Sequence, residues 1–281
     1  MFEINNAILE DVKRSFIIPP HPAILFELEQ ELNKPEPDVG EIANTVAQDI
    51  GIAASVLKVI NSPAFGLARS VTDIKQAVMF IGADGILALI RGLKLKEAFD
   101  QKSCCISLER FWDTSTEIAN IALYVGQRYK EQIPVENLHT LGLFVGCGIP
   151  AMAVKYNNYI KVLAAANKNY DVCLTQFEEK VYQTNHAVVG YYLANAWHLP
   201  RNICNLILRQ HELDYLQGGN FYEDKLSYAI LKIAENIQHT EKRYVASYDW
   251  VHVKEAVLET LCLSDDDYQE LKEDVRQDLF L

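Results

Sequence analysis

A helical period that recurs from residue 38 almost to the C-terminus most constrains what this chain can become. In DVGEIANTVAQDI, residues Val39, Ile42, Ala43, Val46, Ala47 and Ile50 follow the i, i+3, i+4 spacing of one apolar helix face. The same spacing returns at His186, Val189, Gly190, Leu193, Ala194 and Trp197, and again at Leu226, Ala229, Ile230, Ile233, Ala234 and Ile237. No sustained period-two alternation competes with it, so the expected fold class is all-α. No repeat of fixed length is visible either, which favours a globular bundle over a solenoid.

Local signals divide this pattern into helices. Asp38 and Glu41 have capping-box spacing, and Ile52–Ile60 reads as a helix stopped by Asn61-Ser62-Pro63. Thr72 is expected to cap a helix that ends at Gly82, and Ile86–Phe99 continues as helix. Ser107 caps the next, expected over Leu108–Lys130 with Phe111, Ser115, Ile118, Ala119, Ala122 and Leu123 inward. Pro134 opens a helix broken at Gly146-Cys147-Gly148. Thr175 with Glu178 has capping-box spacing, Asn185 caps, Pro200 suits a first turn, and Asp249 and Ser264 are expected to cap the last two helices. Residues 100–107 read as a linker, giving lobes at 1–103 and 104–281.

Composition narrows the function. The 281 residues carry 26 Lys plus Arg against 38 Asp plus Glu, a formal net charge of −12, which argues against nucleic acid as a partner. The densest basic run, Arg91–Lys96, reads as a solvated helix face. No stretch approaches the ~20 apolar residues of a membrane span, and MFEINNAILEDVKRSF has no apolar signal core. A cytoplasmic protein with no membrane partner is expected. The six cysteines show no CxxC pair and read as reduced, mostly buried thiols; a strained Cys104–Cys105 disulfide is the alternative. Phosphate loops of the GxGxxG and GxxxxGK[ST] kinds are absent, as are HExxH and GxSxG.

One segment carries a specific signal. Residues 48–66 read QDIGIAASVLKVINSPAFG, preceded by IPPHP at 18–22 and followed by SVTDIKQAVMFIG at 70–82. In order and spacing, Pro19, Pro20, Gln48, Asp49, Asn61, Ser62, Pro63, Phe65 and Gly66 resemble the pattern of the HDOD domain, a bacterial signalling relative of HD-type metal-dependent phosphohydrolases. FWDTSTEIA at 111–119, NHAVVGYYLANAWHLP at 185–200 and RQHE at 209–212 extend the resemblance, which covers about residue 15 to the C-terminus. It implies a two-lobed helical bundle with an HD-like C-terminal lobe. Read without the family, Asn61-Ser62-Pro63 ends a helix, Gly66 permits a positive φ, and Phe65 anchors the turn in the core.

The resemblance also says where metal ligands would stand in an HD enzyme. The first His falls at Thr114, the His-Asp pair at Val145-Gly146, and the late Asp near Glu235. His186 and His211 match histidines of the HD-GYP type, and Gln210 replaces the first of a His-His pair. Weak metal candidates are therefore His186, His211 and Glu235, with Thr114, Gln210 and His211 as possible polar groups of a former cavity. Plain readings stand beside these: His186 as a core or capping residue, and His211 as a cation suited to a helix C-terminus. No catalytic residue, resident metal or cofactor is expected. The favoured function is a non-catalytic signal-transduction and interaction module with a degenerate HD metal site, binding a protein partner. Alternatives are a metal-dependent phosphohydrolase with a reduced ligand set, acting on cyclic-di-GMP or nucleotides, and a sensor of a nucleotide-like small ligand.

Overall fold

The computed structural model describes residue 16, residues 19–169 and residues 171–281. Among these residues all regular structure is helical. Ile18, at the head of the IPPHP segment, lies outside the described residues. Four helices come first: α1 (Ala23–Leu32), α2 (Val39–Ala47), α3 (Ile50–Ile60) and α4 (Ile74–Glu97). Ten follow: α5 (Leu108–Gly126), α6 (Val135–Phe144), α7 (Gly148–Lys155), α8 (Tyr159–Ala166), α9 (Leu174–Tyr182), α10 (His186–Ala196), α11 (Arg201–Arg209), α12 (Tyr222–Arg243), α13 (Tyr248–Thr260) and α14 (Asp265–Leu279).

Most boundaries sit where the chain chemistry puts them. Asp49 caps α3 through Ile52 N–H, Ser107 caps α5 through Arg110 N–H, and Asn185 caps α10 through Val188 N–H. Ser264 and Asp267 form a complete capping box on α14. Gly82, at φ 75°, kinks α4 in a conformation that L side chains rarely adopt.

Five local expectations are corrected. Asp38 caps α2, but its own N–H goes to Glu31 rather than back to Glu41, so the box is half formed. The cap of α4 is Asp73, one residue beyond Thr72. α5 ends at Gly126 and gives way to a short 3₁₀ turn before Lys130. Thr175 and Glu178 make no capping box: Thr175 Oγ1 donates to Cys173 Sγ, and Glu178 is fully buried with other partners. The run Arg91–Lys96 is not a solvated face, because Arg91 is 7% exposed and ion-paired to Glu29.

A continuous apolar cluster runs through the bundle from Leu25 to Val275. α4 packs on α1, α2 and α3, and also on α6. At that second contact a side chain at Gly92 would meet Leu143 Cδ1 at 2.4 Å. α12 packs against α5, α6, α11 and α13, and its buried residues cover most of its surface. α7 presses on α10 so closely that a Cβ at Gly148 would lie 2.0 Å from the His186 carbonyl oxygen. That crossing fixes the start of α10, where His186 stands. Residues 135–155 are apolar and long enough to cross a membrane by length and composition, but 78% of that window is buried inside the protein and Gly146-Cys147 divides it into α6 and α7.

Candidate functional site

The expected site residues lead to a chain of buried polar groups spanning α8 to α13. It begins at Glu178 on α9, which is wholly buried. One carboxylate oxygen accepts the Tyr159 hydroxyl proton. The other accepts the His186 backbone N–H at 3.0 Å and faces His186 Nδ1 at 2.8 Å. His186 is thus held twice by one carboxylate, at the first residue of a helix whose cap is Asn185. Burial alone would raise the Glu178 carboxyl; the His186 and Tyr159 hydrogen bonds and the His186 charge outweigh it and hold it below the ordinary value.

His186 Nε2 faces His211 Nε2 at 3.2 Å, the two rings edge to face. On its other side His211 Nδ1 meets Asp249 Oδ2 at 2.8 Å. The same oxygen accepts the Lys232 ammonium at 2.7 Å, and that ammonium also reaches Glu235 Oε2 at 2.7 Å. Lys232 is 1% exposed and Asp249 6%. Burial would neutralise all of these groups, yet their mutual attraction wins: Asp249 is held far below the carboxylate range, while His211 and Lys232 are held well above their usual values. Cys173 completes the group. Burial raises its thiol, and the charge of His211 more than offsets that, lowering it.

Whether these residues fit a metal is a question of donors. The ligating atoms of Cys173, His211 and Asp249 lie within 4.8 Å of one another, a spacing that an ion would accept. Their hydrogen-bond partners do not suit one. A metal needs deprotonated ligands with free lone pairs, whereas the Asp249 oxygen that faces His211 already carries two donors. The buried cation beside Asp249 and Glu235 is the ammonium of Lys232, which would repel a second. At the expected His-Asp pair stand Val145 and Gly146, with no ligating side chain. The arrangement does not fit a catalytic metal.

The expected residues divide accordingly. His186 and His211 meet, and Glu235 joins them through Lys232. The cavity trio of Thr114, Gln210 and His211 is corrected: Thr114 is exposed on α5, and the buried Gln210 amide donates to the carbonyls of Val145 and Ile207, both at 2.8 Å. His211 does not merely end a helix; it pairs with a carboxylate from α13. Asp249, expected as a cap, is instead its buried counter-ion, and Ser247 takes the N-cap position of α13.

The other motif residues build structure. Asn61 clamps the following loop, its amide donating to Val71 O and its oxygen accepting Val71 N–H, both at 2.8 Å. Phe65 is buried, and Gly66 closes the turn at φ 62°. Pro19 offers its carbonyl to Trp197 Nε1 at 3.1 Å, while Pro20, Gln48 and Asp49 are exposed. Sequence reasoning missed Tyr159, Cys173, Glu178, Lys232 and Asp249 as site members. The one available signal was in α12: Tyr228 and Leu231 are apolar residues off its apolar stripe, on the side that carries Lys232, and both are buried with it.

Comparison with known proteins places the fold. The HDOD domain model matches residues 18–213. An uncharacterized protein of Treponema pallidum is 23% identical over 202 residues, covering 70% of this chain and 38% of that protein. The cyclic di-GMP phosphodiesterase CdgJ of Vibrio cholerae is 29% identical over 75 residues, covering 27% of this chain and 17% of CdgJ. The chain thus spans well under two-thirds of the curated relatives it matches. Among solved structures, an HDOD domain protein of Geobacter sulfurreducens aligns with a TM-score of 0.65 at 20% identity, covering 98% of each chain. A Shewanella amazonensis protein named as a proposed phosphohydrolase aligns at 0.68 and 19% identity, covering 96% of this chain and 93% of that one. These likenesses carry the fold.

Proposed function

This chain belongs to the HDOD domain family, related to metal-dependent phosphohydrolases, and we propose that it is a non-catalytic regulatory module in which a buried charge network takes the place of the metal centre. One observation carries the reading: the Lys232 ammonium, 1% exposed, hydrogen-bonds to both Asp249 and Glu235. A buried internal cation neutralises Asp249 together with Glu235, which stands where the resemblance places the late metal-binding Asp. Metal catalysis works by lowering the pKa of a bound water and clamping phosphate oxygens, and neither is open to an ammonium. Fold alone does not carry the activity once the site has changed.

In this reading the two lobes, 1–103 and 104–281, form one interaction unit that binds a protein partner in a signalling pathway. Exposed apolar side chains on α3 and α4, Ile50, Met79 and Phe80, support a protein-facing surface there. The acidic net charge supports a partner other than nucleic acid.

One observation favours ligand sensing as a second reading. Asp249 Oδ1 is buried without a hydrogen-bond partner, and a hydroxyl or amino group of a small ligand would satisfy it.

Hydrolysis of cyclic di-GMP and of nucleoside phosphates, assayed with added Mn²⁺, Mg²⁺ or Fe²⁺, tests the proposal. The expected rate equals that of the metal alone. Metal-dependent turnover that disappears in Asp249→Asn overturns it.

A further inference from the structure

A second polar cluster lies far from this network, where the N-terminal segment meets the turn between α10 and α11. His21 precedes α1, Glu29 is on α1, and His198 is in the turn. His21 Nε2 lies 3.3 Å from Glu29 Oε1, and His198 Nδ1 lies 3.1 Å from Glu29 Oε2. The imidazoles stack with centroids 4.9 Å apart, and the ligating atoms of all three residues fall within 4.8 Å of one another.

Two further observations show that this is more than a surface ion pair. His21 Nε2 is buried and makes no hydrogen bond of acceptable geometry, although it faces the carboxylate. The backbone at His198 is the second. It ends α10 in the left-handed region at φ 55°, with His198 N–H bonded to Asn195 O and Leu199 N–H to Ala194 O. Glycine is the usual occupant of that position. A histidine held there places an imidazole against Glu29 where a residue chosen for the turn alone would have no side chain.

We propose that His21, Glu29 and His198 form a binding site for a borderline transition-metal ion of the Zn²⁺ class. Two imidazoles and one carboxylate are a donor set for zinc, nickel or copper rather than for magnesium or calcium, which take oxygen. Arg91 holds the carboxylate, its Nη2 2.6 Å from Glu29 Oε1, the oxygen that also faces His21, and leaves Oε2 turned toward His198. Its charge tempers affinity, so the site suits reversible binding. The His198 side chain is 62% exposed, which opens the fourth coordination position to solvent or to a partner's ligand. Bound metal would tie the N-terminal segment to the α10–α11 turn. This inference rests on the cluster itself and does not depend on the reading of the inner network.

The test is titration of the full tag-free chain with Zn²⁺ alone, by calorimetry and by thermal shift, with Co²⁺ absorption as a report on the ligands. One ion per chain and a rise in melting temperature are expected. His198→Gly suits the left-handed backbone while removing a ligand, so it keeps the fold, and it should weaken binding roughly 100-fold. His21→Ala should do the same, and Asp249→Asn should leave the affinity unchanged. Binding in His198→Gly equal to the parent, or no binding by the parent, overturns the proposal. Binding lost in Asp249→Asn but kept in His198→Gly also overturns it, and places the ion in the inner network, against the proposed function as well.

Discussion

Replacing Lys232 by methionine is expected to destabilise the protein by about 3–5 kcal/mol, the usual cost of removing one partner from a buried ion pair. The side chain is 1% exposed and its ammonium bonds two carboxylates, one of them, Asp249, itself only 6% exposed. Methionine fills most of the same space, so the loss is electrostatic rather than a cavity. It leaves Asp249 with His211 as its remaining charged partner and Glu235 unpaired on that side. Against a total stability of about 5–15 kcal/mol, such a loss is a large fraction of the whole. Urea denaturation at neutral pH measures it. The double variant Lys232→Met with Asp249→Asn should lose less than the sum of its parts, because the uncompensated carboxylate is gone. A cost below about 1 kcal/mol for Lys232→Met would mean that the ammonium is not confined between the carboxylates.

The second large effect is a loss of stability in mild acid, centred on His139. This residue is on α6, 2% exposed, with neither ring nitrogen hydrogen-bonded. Burial, with a smaller contribution from the nearby charge of Lys96, pushes its pKa down to about 3 from an ordinary 6.5. The folded protein therefore holds the neutral imidazole, while the unfolded chain takes up a proton below 6.5. Stability is full above that value and falls as pH drops, by about 1.4 kcal/mol per unit, or roughly 2 kcal/mol by pH 5. His211 does not offset this. Its raised pKa gives a contribution that is complete below 6.5 and is lost as pH rises above it. The depressed carboxyls of Asp249 and Glu178 begin to matter only below their ordinary values of 3.8 and 4.5. His21 and His239 shift in the same direction as His139 from less buried positions and add to the slope. His139→Leu should flatten most of the limb between pH 6.5 and 5, and should stabilise the protein at neutral pH by about 1–2 kcal/mol because two unsatisfied buried nitrogens are removed. Denaturant midpoints measured across that range check this. An unchanged slope in His139→Leu would contradict it.

The helices were legible because their signals are local. Asp38, Ser107, Asn185 and Ser264 cap where their side chains and the following apolar period place them. The stripe on α12 was also legible, since Leu226, Ala229, Ile230, Ile233, Ala234 and Ile237 are all buried. The faces packed on a second side were not. On α5, Trp112, Ile121 and Val125 are buried outside the expected stripe, because α5 packs on α6, α12 and α14 together. The site was legible only as far as His186 and His211. Asp249 and Glu178 each carry a plausible local role as a cap, and tertiary partners displaced it: His211 and Lys232 claim one, His186 and Tyr159 the other. Those partners come from distant parts of the chain, and no local spacing announces them. Thr114 failed for the opposite reason: a position aligned with a family ligand says where the backbone goes, and here the side chain is exposed.

The central claim is that an ammonium replaces the metal between α12 and α13. Anomalous diffraction from crystals of the protein soaked in Mn²⁺ measures it directly. The account predicts no anomalous peak within bonding distance of the Asp249 carboxylate, with Lys232 Nζ still bridging Asp249 and Glu235. A manganese ion bonded to His211 and Asp249, with the lysine displaced, would contradict it.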